Sequence, residues 1–308
     1  MQNAWMRRHT FSCAAATLAL LLMPVGALAQ ELEPGAYWPI PTGLNIVTVV
    51  NNLNWGDLAF DPAVPIDEAS ATINATSFSF ARAFSLAGRS ANVGVGLPVV
   101  GGHVEGQYLG EHAEVGRFGL GDPRLRLAMN LYGAPAMTPT EFASYSQGTI
   151  LGISVTVAPP LGQYDSTKLI NLGTNRWSFR PELGVSRTNG RWVLEAMAGV
   201  WLFTDNTNFV GGRTREQDPI AATQVHVTFK FKRSTWLAAD ANYYTGGRTT
   251  IGGKQNLDLQ RNSRIGATFS SAIGRGQAIR MSVSRGAYTT IGADFTSIAA
   301  SYSYAWTR

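Results

Sequence analysis

A set of charged side chains recurs at alternate positions along this chain. They are Arg124 and Arg126, Arg180 and Glu182, Glu195, His226 with Lys230 and Lys232, Asp240, Arg264 and Arg280. Residues two apart in an extended strand share a face, so each group can be aimed at one side of a sheet. If that side encloses a water-filled lumen, the seven bases outnumber the three carboxylates by four. Rings of Arg and Lys in a pore select anions. The same charges could instead form ion pairs that fill a narrow barrel; the two uses are compatible. His226 shares this face, but a membrane-embedded hydrolase would need a serine beside it and a group to orient it. No such partners can be assigned, so no catalytic residue is expected.

The other clusters are weaker. His103 and His112 lie on one predicted loop with Glu105, Glu111 and Glu114, a donor set for a metal, but their spacing matches no recognised ligand pattern and suits a solvated rim. Asp205, Asn206 and Asn208 offer hard oxygens for calcium, yet are ordinary turn formers after a strand. Gly247 to Lys254 misses a phosphate loop because Arg248 stands where the first Gly is needed and Gln255 replaces Ser/Thr. Gly121-Asp122-Pro123 is expected to shape a turn. No cofactor and no metal are expected.

The elements that would hold these charges are long alternating strands. Trp177 to Trp201 carries Asn189-Gly190 between two such runs, the signature of a type I′ hairpin. Pairing outward from that turn sets Thr188 against Arg191, Val185 against Leu194, Leu183 against Ala196 and Phe179 against Val200. The last three pairs form one apolar face; Arg180, Glu182, Glu195 and Met197 fall on the other. Arms of about a dozen residues exceed the ~5–6 of a usual strand and suit the ~9–11 that cross a bilayer. Twelve strands are predicted, near 44–54, 72–86, 91–100, 121–131, 148–158, 177–188, 191–202, 221–232, 235–245, 262–272, 277–286 and 295–306. Tight turns alternate with long loops at 55–71, 101–120, 159–176, 203–220 and 246–261, as expected of an outer-membrane barrel. The segment 132–147 breaks the rhythm and is expected to hold a short helix or unrecognised structure. Pro181 sits in mid-strand with its missing N–H predicted to face the preceding strand. Arg82 shares the apolar face of Phe78, Phe80 and Phe84, which places it at the inner rim or beside a bulge.

Residues 1–29 have the form of a secretory signal: Arg7 and Arg8, an apolar run from Ala14 to Val25, and Ala27-Leu28-Ala29 before the cleavage point. Residues 30–308 then form the barrel, with Pro-rich 30–43, containing Tyr37 and Trp38, as a periplasmic lead-in. The one cysteine, Cys13, leaves with the signal, which excludes disulfides and thiol chemistry from the mature chain. A small basic excess gives no argument for nucleic acid.

Two stretches carry a family resemblance: GLGDPRLRLAMNLYG (Gly119–Gly133) and APPLGQYDSTKLINLGTNRWSFRPELGVSR (Ala158–Arg187). Together they resemble the outer-membrane transporter family linked to the meta-pathway of phenol degradation. The resemblance implies an all-β, antiparallel up-and-down barrel in the bacterial outer membrane that passes small organic, including aromatic, compounds. Its implied partners are outer-membrane lipids, the barrel assembly machinery and the solutes. A barrel hydrolase and a non-conducting surface barrel are the alternatives.

Overall fold

The structure, a computed structural model, describes residues 32–59, 66–108, 111–168, 170–232 and 234–307. The expected signal peptide lies outside them. The chain begins with β1 (Leu44–Ala59), β2 (Ile66–Leu86), β3 (Arg89–Tyr108), β4 (Glu111–Leu120) and β5 (Arg124–Tyr132). A short helix α1 (Pro139–Ser144) leads to β6 (Thr149–Ala158), β7 (Ser178–Asn189) and β8 (Trp192–Phe203). Next come β9 (Asn206–Phe209), β10 (Arg213–Gln217), β11 (Ile220–Lys232), β12 (Thr235–Gly246), β13 (Thr249–Ile251) and β14 (Lys254–Gln255). The chain ends with β15 (Gln260–Gly274), β16 (Gln277–Tyr288) and β17 (Gly292–Thr307). Each wall strand pairs antiparallel with its neighbours, and the β1–β17 and β2–β3 ladders close the sheet on itself. β4 and β5 both pair with β3, at Val99–Tyr108 and Ala91–Gly96, so they are one wall strand interrupted at 121–123. The result is a twelve-stranded barrel. β9, β10, β13 and β14 form a separate small sheet in the loops at the extracellular end.

Alternation sorts the wall as the sequence predicts. Leu183, Val185, Leu194, Val225, Ile298, Tyr302 and Tyr304 point outward and are exposed, forming an apolar belt. Ser186, Met197, His226 and Thr228 point inward and are buried. A closed antiparallel barrel pairs the backbone groups of neighbouring strands with one another, which is why strands can cross a membrane at all.

The β7–β8 hairpin departs from the expected register by one turn position. Asn189 pairs with Trp192, Val185 with Ala196 and Leu183 with Ala198. Of the two loop residues, Gly190 has a positive φ and Arg191 does not. That is the pattern of a type II′ turn, which needs glycine only at its first central position. Every cross-strand partner moves by two, an even number, so both faces survive. The β6–β7 ladder runs unbroken through Val155↔Pro181, whereas the β7–β8 ladder omits Arg180 and Pro181. The missing donor therefore falls on the β8 side, opposite to the expectation.

The regions expected as loops at 55–71 and 101–120 are largely strand. β2 and β3 reach 21 and 20 residues, and β3 and β4 form a hairpin beyond the bilayer. At its tip, Glu111–Glu114, both faces meet water, so that part lacks the apolar alternation that marks a membrane strand. Arg82 faces outward, paired with Asn45 and Val93 close to the 87–88 turn, in a register without a bulge from Ser70 to Leu86. It lies at the inner rim. The helix at Pro139–Ser144 accounts for the long inner connection: Thr138 Oγ1 accepts from Glu141 N, and Glu141 Oε2 accepts from Thr138 N, a complete capping box. Those donors hold the Glu141 carboxyl below its usual range.

The barrel lumen as candidate functional site

The segment 32–42 corrects the largest expectation. Expected as a periplasmic lead-in, it runs inside the barrel as a strap. At the inner mouth Thr42 N donates to Met137 O at 2.7 Å, and Ile40 exchanges hydrogen bonds with Ser90 Oγ. Further in, the ring of Tyr37 is buried, and its hydroxyl meets Ser154 Oγ at 3.0 Å and Glu182 Oε1 at 2.9 Å. Gly35 N donates to Glu195 Oε2 at 3.0 Å, and Glu33 N to Gln224 Oε1 at 3.1 Å.

The wall is shaped to receive that ring. Gly152 and Gly184 face each other across the β6–β7 ladder. A Cβ on either would lie 2.2 or 2.3 Å from a Tyr37 ring carbon. The paired glycines make a slot one aromatic ring deep. This is the signal in the sequence that could have found the strap: two inward glycines on neighbouring strands where a narrow barrel should carry side chains.

The charged residues expected on the inner wall divide into two groups. Arg180 forms an ion pair with Glu182, its Nε at 3.1 Å from Oε2, and its Nη1 stands 3.9 Å from Glu33 Oε1. His226 Nδ1 is 2.7 Å from Asp240 Oδ1, while Thr268 Oγ1 donates to Asp240 Oδ2 at 2.7 Å. Glu195 lies across from His226 in the β8–β11 register. Lys230 caps the Trp38 ring at 4.3 Å; Trp38 meets Trp236 edge-on at 5.5 Å; Arg280 lies over Trp236 at 5.2 Å. These are internal partners of a filled lumen.

Arg124, Arg126 and Arg264 line a cavity of about 780 Å³ bounded mainly by β1–β3, β5 and β15–β17, and Arg280, stacked on Trp236, borders it as well. Its wall is rich in serine, threonine and asparagine, and Glu33 of the strap faces into it. At its extracellular end lies an apolar patch of Ala71, Ile73, Val100 and Phe295, with Leu58 and Leu172 packed against it. Arg264 anchors this edge, its Nη2 donating to Phe295 O at 2.9 Å and Ser297 Oγ at 2.8 Å.

Lys232 is not a lumen residue. The β11–β12 register slips between Lys230 and Lys232, and Lys232 is exposed beside the turn to β12. With Lys232 removed and Glu33 added, the surplus of positive charge falls from four to two.

Asp122 does more than shape a turn. It sits where β4 breaks from β5, and its two oxygens accept from Gly162 N, Thr174 N and Thr174 Oγ1 at 2.7–2.8 Å. Gln163 N adds a bond to Leu120 O at 2.8 Å, and Arg117 Nε one to Ile170 O at 3.0 Å. The loop 159–177 is thereby clasped to β4, and its Ile170 and Leu172 roof the cavity. The two sequence stretches that carry the family resemblance thus meet at this clasp. His103 and His112 stand on the β3–β4 hairpin, where His103 Nε2 pairs with Glu114 Oε1 at 3.1 Å. Asn206 opens β9, its Oδ1 accepting from Asn175 Nδ2 and Asn208 N.

A closed antiparallel barrel with an apolar outer belt and a polar interior is an outer-membrane β-barrel of bacterial type. The chain belongs to the family described as "Putative MetA-pathway of phenol degradation", whose model matches residues 61–290. Among solved structures it is similar to an outer membrane channel from Pseudomonas putida F1. The two share 21% identity and a TM-score of 0.76 over 90% of this chain and 100% of that one. It also resembles the transport unit of the autotransporter AIDA-I from Escherichia coli, at 8% identity and a TM-score of 0.52 over 96% of both chains. No curated protein matches the sequence.

Proposed function

We propose that this barrel is a passive outer-membrane channel for small organic solutes, with a preference for anions, and that it is not an enzyme. The observation that carries the reading is the cavity, which combines an apolar extracellular patch with inward arginines. The family description points to the degradation of phenols, and the Pseudomonas putida protein of the same fold is named a channel. Lumen residues in named roles are Arg124, Arg126, Arg264 and Arg280 along the path. Arg180, Glu182, Glu195, His226, Lys230 and Asp240 form the filled wall beside it. The hydrolase alternative is disfavoured by His226, which is wholly buried with Nε2 unpartnered among the described residues, away from any membrane edge. A non-conducting barrel is the second reading, favoured by the strap.

Planar bilayer recording separates these. The parent should show a reversal potential of anion preference, reduced or reversed in Arg124→Glu/Arg126→Glu. The effect should shrink at high salt, as the Debye length falls from ~10 Å at 0.1 M to ~3 Å at 1 M. A parent that conducts but prefers cations overturns the anion reading, and one that never conducts supports the plugged barrel.

A further inference from the structure

The strap brings a carboxylate to a place where the wall supplies cations. Glu33 Oε1 stands 3.9 Å from Arg180 Nη1. It faces the same cavity as Arg126 and Arg280. Arg180 is already engaged by Glu182, which takes its Nε and Nη2 donors. Arg280 opens onto the cavity. Arg126 donates Nη2 to Ser154 Oγ at 3.3 Å and lies over the Tyr37 ring at 5.3 Å, which fixes the guanidinium while other donors remain in its fork. Arginine forks on opposite walls of a cavity are suited to a planar carboxylate. The cavity continues from them past Ser282 and Ser301 to the apolar patch at Ile73, Val100 and Phe295. A ligand that satisfies both ends has an anionic head and a short apolar body.

We propose that Arg126 and Arg280 form the headgroup site for a small amphipathic carboxylate whose apolar body lies against the Ile73–Val100–Phe295 wall. Glu33 is the resident competitor: an internal carboxylate that lowers the affinity of the site and so keeps it shallow. This deepens the channel reading and rests on it for the path by which solute arrives. A shallow site suits a channel, since a solute must bind well enough to enter and weakly enough to leave.

The test is equilibrium binding to the refolded barrel in nanodiscs, with labelled benzoate as probe and hexanoate, acetate and benzyl alcohol as competitors. Hexanoate should compete like benzoate, whereas acetate, which lacks the apolar body, and benzyl alcohol, which lacks the charge, should each be at least tenfold weaker. Arg126→Gln and Arg280→Gln should each weaken benzoate by tenfold or more, and Glu33→Gln should strengthen it several-fold. Different gel migration with and without boiling, tested for each variant, checks folding, and Arg280→Lys, which keeps the charge, should retain part of the affinity. Equal binding of benzyl alcohol and benzoate overturns the site, as does benzoate affinity unchanged in both glutamine variants. Unchanged or weaker binding in Glu33→Gln overturns the competitor role. Binding without conductance leaves the site standing and removes the channel reading; anion conductance with arginine-independent benzoate binding does the reverse.

Discussion

One side of the lumen is solid and the other is hollow, although the same two-residue alternation builds both. From β6 to β12 the inward side chains, small as well as large and charged, are packed under the strap or against one another. Val193, His226, Thr228 and Ser186 are wholly or almost wholly buried. From β1 to β3 and β15 to β17 the inward positions are mostly Ser, Thr, Asn, Ala and Gly, interrupted by Arg264, Arg280 and the apolar patch, and open space remains between them and the strap. The difference teaches that a small barrel need not choose between packing and passage. One half gains burial and ion-pair partners for stability, and the other keeps an open path beside it. The strap makes this possible by filling half of the space without adding a strand to the wall.

The strongest way to break that division is to expel the strap. Gly184→Val places carbon where the Tyr37 ring lies, and no rotamer avoids the 2.3 Å approach because the clash begins at Cβ. Losing the buried aromatic should cost about 3–5 kcal/mol in unfolding free energy, by analogy with large core truncations. Conductance should rise several-fold, and a protease in solution should begin to cut within residues 32–42. A variant with parental conductance and an intact strap would show that the slot is not what holds it.

The second way is to place the same charge in each half. Thr228→Arg enters the solid side, where the hydroxyl is already fully enclosed, and should destabilise the barrel by about 2–4 kcal/mol through overpacking and an unpaired buried charge. Ser301→Arg enters the hollow side and should cost under about 1 kcal/mol, because cavity water can hydrate it. Urea unfolding midpoints in detergent measure both. Equal costs would erase the distinction between the halves.

The smallest effect concerns the roof of the hollow side. In the loop 159–177, Asp165 accepts from Thr167 N at 3.0 Å and Thr167 Oγ1 at 2.6 Å, and pairs with Lys168 at 3.0 Å. These donors hold its carboxyl down at about 2, from an ordinary 3.8. A depressed carboxylate contributes to the folded loop above the ordinary value, and that contribution is lost as pH falls through the folded one. The Thr167 amide resonance should therefore titrate with a midpoint near 2 and stay flat above pH 4. A midpoint near 3.8 would mean that the turn is open in solution.

The wall was legible because lipid on one side and water or protein on the other impose a strict period. Val225, Ile298 and Leu127 are outward for the same reason that Gln224 and Ser301 are inward. The hairpin turn at Gly190 slipped by one position because Asn-Gly can serve two turn types, while parity, which the membrane enforces, was kept. The β3–β4 hairpin stayed hidden because it stands outside lipid, where neither face is marked. The strap was missed for another reason. Nothing in Tyr37-Trp38 distinguishes an aromatic pair at a membrane interface from one inside a barrel. The information lies 115 and 147 residues beyond Tyr37, in glycines whose meaning depends on which strands become neighbours.

The position of the strap in the chain has a consequence for assembly. It directly precedes β1, and β1 closes the wall against β17. Yet its partners Ser154, Glu182, Glu195 and Gln224 lie 117 to 191 residues further along. Contacts of such long range carry the full entropic cost of loop closure before they return anything. The strap must therefore wait for β6 to β11 to exist before it can settle, while the strand attached to it is the one that shuts the seam. If the β1–β17 seam is the last to form, its closure also traps the first segment of the described chain inside.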